Sequence, residues 1–341
     1  MTAAHDDQAD SRCPSRSNRR RITSLEVLCG VLVLAVVVRG WWGQLLDVAA
    51  VRTGATVFVA VCVQAMPFLV LGVLVSGAIA AFVPARLLRR VLPRREAVAV
   101  GVAGLAGMAL PGCECASVPV AGRLMRQGVP VPAALAFLLA APAINPVVLM
   151  ATAVAFPAAP AMVLARFLGS LATAIVMGWL WSRFGHTEWI AERARTVLPD
   201  RHEASRWEVF VETARSDLAD AGGFLVIGAS AAAVLNVLVP RSWFSVVGHS
   251  PLTGVIVMAL LAVVLALCSE ADAFVAASLS ALPLLPRLVF LVVGPAVDVK
   301  LIALQAGTFG RRFVVRFAPA TFIVAVGVAV LVALCVLGGH R

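Results

Sequence analysis

The sequence predicts an all-α polytopic membrane protein with about nine transmembrane helices, two four-helix repeats plus an N-terminal helix, broken where the repeats meet. Three observations carry this. Hydrophobic residues make up 61% of the 341 and charged residues only 13%, against roughly 25% charged in soluble domains. Several apolar runs reach the ~20 residues that a bilayer crossing needs. The second half of the chain also repeats landmarks of the first in the same order.

The net charge of +10 does not indicate nucleic acid. The arginines sit in short clusters between apolar runs, as cytoplasmic loops require, and no basic groove with interleaved aromatics is visible. Of the seven cysteines, those at 13, 30, 62 and 335 stand singly in the tail or in apolar runs, where a small buried hydrophobe is the ordinary explanation. Cys113, Cys115 and Cys268 lie in polar-spiked apolar stretches.

Residues 1–21 read as a disordered cytoplasmic tail ending in Arg19, Arg20 and Arg21, and residues 22–50 as a signal-anchor helix and linker. The first repeat half is assigned to 51–184, a polar connector to 185–218 and the second repeat half to 219–341. Within the first half, Thr56–Val83 is a span followed by the basic loop Arg86, Arg89, Arg90, Arg94 and Arg95, placed in the cytoplasm. Ala97 to Met125 is the third span, with Gly101, Gly104 and Gly107 as a small-residue face. Val131–Phe156 is the fourth span and Pro160–Phe184 the fifth. Gly222–Val239, Leu252–Leu282, Arg287–Ala306 and Phe317–Leu337 are the sixth to ninth, and Arg311, Arg312 and Arg316 form a second cytoplasmic loop.

Phe68-Leu69-Val70, Gly72 and Val83-Pro84 recur 156 residues later as Phe224-Leu225-Val226, Gly228 and Val239-Pro240. After an indel the offset is 153, pairing Gly101-Val102 with Gly254-Val255, Cys115 with Cys268, Phe137-Leu138 with Phe290-Leu291 and Pro142-Ala143 with Pro295-Ala296. Four spans per copy return the chain to its starting side, so the copies are expected to be parallel, with the loops at Pro84 and Pro240 on one side. Re-entrant hairpins around the motifs would change the count and could invert one copy. Either way Cys115 and Cys268 occupy equivalent positions across one interface, where repeat transporters place their substrate.

The chemistry concentrates in Pro111–Pro146 and Cys268–Lys300. Each of Glu270, Asp272, Asp298 and Lys300 would cost about 2.5–3.5 kcal/mol at a helix centre, so such residues face a bundle interior and mark an ion path. They are read as a proton-coupling or charge network. Lys300 is the single Lys of the chain. On a regular helix it would point away from Asp298, which makes Glu270 or Asp272 its expected partner. Pro111, Gly112, Pro119, Pro142, Pro146 and Pro295 are the candidate helix breaks, and broken helices expose backbone groups that bind ions. Asn145 or Asp298 could also cap the following half-helix, a role compatible with ion binding. Cys113, Glu114, Cys115, Asn145 and Cys268 form the candidate substrate site. Thiolates suit soft ions, and Cys113, Cys115 and Cys268 would ligate a transported metal if the backbone unwinds at Pro111-Gly112.

PGCECASVPVAGRLMRQGVP and FLLAAPAINPVVLMAT, with LCSEADAFVAASL and FLVVGPAVDVKL in the second half, resemble the blocks of a bacterial predicted-permease family of ArsP and YraQ type. The resemblance implies a polytopic inner-membrane permease. One branch of the family exports trivalent organoarsenicals, another is named for copper or zinc efflux, and most members have no established substrate. The family's cysteine block falls on Cys113, Glu114 and Cys115, and its Pro-Asn-Pro element on Pro142, Asn145 and Pro146.

The expectation is therefore a secondary permease of the bacterial plasma membrane, multi-pass, N-terminus cytoplasmic, exporting a soft metal ion or metalloid by proton-coupled alternating access. No Walker A sequence supplies ATP coupling, and no cofactor is expected. The partners are lipid and a small inorganic or organometalloid substrate, with a homo-oligomer left open. The alternatives are a permease for a small organic substrate with incidental thiols and a membrane subunit that does not transport alone. An intramembrane enzyme is disfavoured because no hydrolase motif is visible and no His lies in a span core.

Overall fold

The computed structural model describes residues 49–83, 93, 95–110, 113–191, 194, 205–238, 251–279 and 282–338. The tail, the signal-anchor helix, most of the first basic loop, Pro111, Gly112 and the loop at Pro240 lie outside them. The described elements are helical: α1 Ala49–Phe82, α2 Glu96–Ala106 with a 3-10 turn Gly107–Ala109, α3 Glu114–Arg126, α4 Val131–Ile144, α5 Pro146–Ala155, α6 Ala161–Phe184, α7 Arg206–Leu238, α8 Pro251–Leu265, α9 Asp272–Ser278, α10 Leu284–Ala296, α11 Val299–Phe309 and α12 Arg311–Val332, which ends in a π turn, Ala333–Leu337. The protein is an all-α polytopic membrane protein. Six stretches among the described residues are long and apolar enough to cross a bilayer: α1, α4 with α5, α6, α7, α10 with α11, and α12 with its π turn.

The segments read as third and seventh spans do not cross. At 1.5 Å per residue α2 and α3 are only ~16 and ~20 Å long, short of a ~30 Å hydrocarbon core. Glu96 at the start of α2 accepts from Ser182 at the end of α6. Arg126 at the end of α3 pairs with Asp217 of α7, and Gln127 donates to Ile79 at the end of α1. Both ends of the α2–α3 pair therefore lie on one face, together with Arg95, Arg183, Arg206, Arg215, Arg311, Arg312 and Arg316, here termed the arginine-rich face. The pair is a re-entrant hairpin, and α8–α9 is its counterpart from the opposite face.

Each copy thus crosses three times rather than four, which inverts the second copy. Gly77 of α1 abuts Phe210 of α7, while Gly54 abuts Val237, so the two helices run antiparallel. Helices α4 and α10 run antiparallel too. α3 leads into the start of α4 and α11 follows the end of α10, yet α3 and α11 lie together, Gly122 against Thr308 and Phe309. The expected parallel arrangement is replaced by inverted-topology repeats, because two half-length helices return where one helix was expected to span. The start of the polar connector's last part also changes: 206–218 belongs to α7, which runs unbroken into the sixth span.

The duplicated glycines mark where long helices press on half-helices. A Cβ on Gly72 would stand 2.4 Å from the Ala116 Cα, and one on Gly228 would stand 2.7 Å from the Lys300 Cα. Gly107 meets Ala141 in the same way, whereas Gly101 has nothing within 4 Å. The anticipated small-residue face of α2 thus reduces largely to one close approach. Through these contacts α1 seats α3 and α7 seats α11, and the residues of the candidate site are carried on those half-helices.

Candidate functional site

The prolines inside the helices do not end them, and the breaks fall beside them. Pro119 lies inside α3 and Pro142 inside α4, and both helices continue past them. Asn145 is extended (φ −67°, ψ 154°), as the residue before Pro146 must be. Its Oδ1 accepts from Val148 N at 3.0 Å, and its Nδ2 donates to Ala141 O at 3.1 Å. One side chain satisfies a donor of α5 and an acceptor of α4. In the second copy Pro295 is the penultimate residue of α10, Val297 and Asp298 are extended, and Asp298 Oδ1 accepts from Leu301 N at 2.6 Å. Both residues are therefore N-caps at equivalent breaks.

Cys113 is the extended residue (φ −85°, ψ −178°) that precedes α3, and Glu114 and Cys115 open its first turn. Because Cys113 is outside the helix, the i, i+2 splay does not apply. The ligand atoms of Cys113, Glu114 and Cys115 lie within 4.8 Å of one another, all buried. The Cys113 thiol also neighbours those of Cys115 and Cys268. Cys268 sits in the α8–α9 break, where Ala266 takes a left-handed conformation at φ 48°. Thiols of the two copies thus approach each other, with Cys268 beside the Cys113, Glu114 and Cys115 group rather than within it.

Lys300 closes this centre. Its Nζ lies 2.5 Å from Glu114 Oε1 and 3.6 Å from Asp298 Oδ2, donates to Ala266 O at 2.9 Å, and is 3.8 Å from Cys268 Sγ. The expected bridge to Glu270 or Asp272 is not the one formed. Asp298 precedes α11 in extended backbone, so helical geometry does not separate it from Lys300, and the packing of α3 on α11 delivers Glu114. Asp272 pairs instead with Arg166 of α6 at 2.9 Å. Arg166 also donates to Thr152 Oγ1 at 2.7 Å and to Ser269 O at 3.0 Å. Ser269 Oγ lies 3.4 Å from Glu114 Oε2, linking the two charged groups. Glu270, half-buried, has no ion-pair partner among the described residues, and its carboxylate oxygens make no side-chain hydrogen bond.

Inverted repeats, broken helices capped at mid-depth and a buried polar centre between them are the arrangement of a membrane transporter. The family model described as predicted permease matches residues 51–338. The chain belongs to this predicted-permease family. A permease-family relative in Streptococcus mutans, provisionally named a subunit of a two-component membrane permease complex, is 34% identical over 266 residues, 76% of this chain and 88% of its own. The UPF0718 protein YcgR of Bacillus subtilis is 34% identical over 284 residues, 80% of this chain and 94% of its own. No solved structure matches this permease.

Of the residues the sequence singled out in this permease, Cys113, Glu114, Cys115, Cys268, Asp298 and Lys300 come together, Asn145 serves the α4–α5 break, and Asp272 belongs to a neighbouring group around Arg166. Sequence reasoning missed Arg166, Thr152 and Ser269. The signal for Arg166 was present: a lone Arg near the start of an apolar 24-residue helix needs a buried partner.

Proposed function

We propose that this permease is a secondary exporter of a soft, thiol-reactive metal ion or metalloid in the bacterial plasma membrane. The observation that carries the reading is the convergence of Cys113, Cys115 and Cys268 with Glu114 and Lys300 in a buried centre built by both inverted copies. Three thiols suit soft cargo. The carboxylates of Glu114 and Asp298 around Lys300 offer compensating charge that rearranges when cargo arrives. Soft ligands come mainly from the first copy and charge from the second. The arginine-rich face is taken as cytoplasmic by the positive-inside rule. One crossing by the N-terminal apolar segment then puts the tail on that side as well.

The coupling ion in this reading is the proton, carried by Asp298 and Asp272 in their ion pairs and by Glu270, which stands outside those pairs. The deciding experiment is flux of methylarsenite, Cu(I) and Zn(II) into inverted vesicles. Replacing Cys113, Cys115 and Cys268 together by Ser is expected to abolish flux of the cargo that the wild type moves. Export that survives the triple replacement sinks the soft-ion reading and leaves a small organic substrate. Asp298→Asn is expected to remove the pH-gradient dependence of that flux, and intact pH-driven flux refutes the proton role.

A second reading draws on the Streptococcus relative's name, which speaks of a two-component permease complex. Under it the chain transports only with a partner subunit. Purified protein in liposomes separates the two: flux from this chain alone supports the first.

A further inference from the structure

Cys268 is delivered to the thiol centre by an irregular segment, residues 266–271, rather than by a helix. Two cationic side chains hold that segment by its carbonyls. Lys300 takes Ala266 O at 2.9 Å and Arg166 takes Ser269 O at 3.0 Å. Between these anchors stands Cys268. Arg166 is fully buried on α6 of the first copy. It is fixed in turn by Thr152 Oγ1 and Asp272 Oδ2. The left-handed conformation of Ala266, strained for a residue with a Cβ, persists only where its surroundings impose it.

We infer that Arg166 is a positioning residue for cargo binding: its guanidinium holds the Ser269 carbonyl and thereby aims the Cys268 thiol at Cys113. This rests on the soft-cargo reading for its purpose, while the geometry it concerns is independent of the cargo. Arg166 does not touch the cargo. The planar guanidinium serves Thr152, Ser269 and Asp272 from fixed directions, with two bonds on one nitrogen, which the compact Lys ammonium on a flexible stem does not reproduce. Arg166→Lys therefore preserves the buried charge beside Asp272 but releases the carbonyl.

The test uses Cd(II) as a soft probe of the detergent-purified full chain, reading thiolate-to-metal charge-transfer absorption for the number of bound thiolates. Wild type is expected to show three, Arg166→Lys and Cys268→Ser two each, and the double variant no fewer than two. Three thiolates retained in Arg166→Lys overturn the inference. A second measurement needs no purification. In a Cys115→Ser chain in native membranes, a short bifunctional thiol reagent is expected to join Cys113 to Cys268, and Arg166→Lys to abolish that product. Equal yield with and without Arg166 again overturns it. If wild type binds no Cd(II) through thiolates yet the cross-link depends on Arg166, the soft-cargo reading fails while the positioning role stands.

Discussion

Lys300 shows how much one residue carries. It is the single Lys of the chain, fully buried, and it meets Glu114, Asp298, Ala266 and Cys268 at once. Removing one member of a buried pair leaves an uncompensated charge, which costs about 3–5 kcal/mol. Lys300→Met is expected to lower the unfolding temperature of the detergent-solubilised protein sharply. Adding Glu114→Gln should recover part of that loss, because the stranded carboxylate is then neutral. If the double variant is as unstable as the sum of the two single ones, the pairing is not what holds Lys300 in place. The residue types of this centre were legible in the sequence, since thiols and charges in an apolar run need a reason to be there. Their pairing was not. The splay argument assumed that Asp298 and Lys300 share a helix, and the break that separates them lies two residues beyond the proline that announced it.

At the scale of elements, the half-helices α3 and α11 hold position because Gly72 and Gly228 let α1 and α7 come into backbone contact with them. Gly72→Val would drive a side chain into Ala116, 2.4 Å from its Cα. Overpacking of this kind costs about 1–3 kcal/mol or more, and the variant is expected to lose folded yield on size-exclusion chromatography. Gly101→Ala is the control. Nothing lies within 4 Å of that position, and Ala favours a helix over Gly by about 1 kcal/mol, so its yield should match or exceed wild type. Hydropathy made the apolar runs visible but could not distinguish a crossing from a hairpin. Glu96–Met125 is apolar along most of its length whether it spans or turns back, and the half-helices on either side of the turn are held by contacts from other helices, α1 and α7 among them, which the local sequence does not show.

For the whole molecule, the inverted copies share much of their packing and differ most clearly around the α1–α7 pair. α2 packs on α4 as α8 packs on α10, α4 on α6 as α10 on α12, and α3 on α11 as α5 on α9. The α1–α7 pair breaks the pattern. It packs on α3 and α11, whereas α1 on α5 and α7 on α9 form no comparable interface among the described residues. Two inverted copies of one unit have nearly the same choice of conformations, so a molecule that is asymmetric in one respect has a counterpart state in which the copies exchange roles. The duplication offsets specify it. Gly72 against Ala116 becomes Gly228 against Ser269, and Gly228 against Lys300 becomes Gly72 against Val147. In the present state Val147 and Met150 of α5 are exposed, 49% and 65%. Alternating access would then consist of the α1–α7 pair moving from the half-helices of the arginine-rich face to those of the opposite face, exposing the thiol centre to each side in turn. Spin labels at Val59→Cys of α1 and Met150→Cys of α5, in a chain otherwise free of reactive cysteine, report the opposite face. Labels at Val211→Cys of α7 and Arg312→Cys of α12 report the arginine-rich face. Double electron–electron resonance in nanodiscs across a pH series should resolve two populations, with the first distance shortening as the second lengthens. Distances that stay fixed, or that change in the same direction, would show that this pair is part of a rigid frame and that access alternates by some other movement.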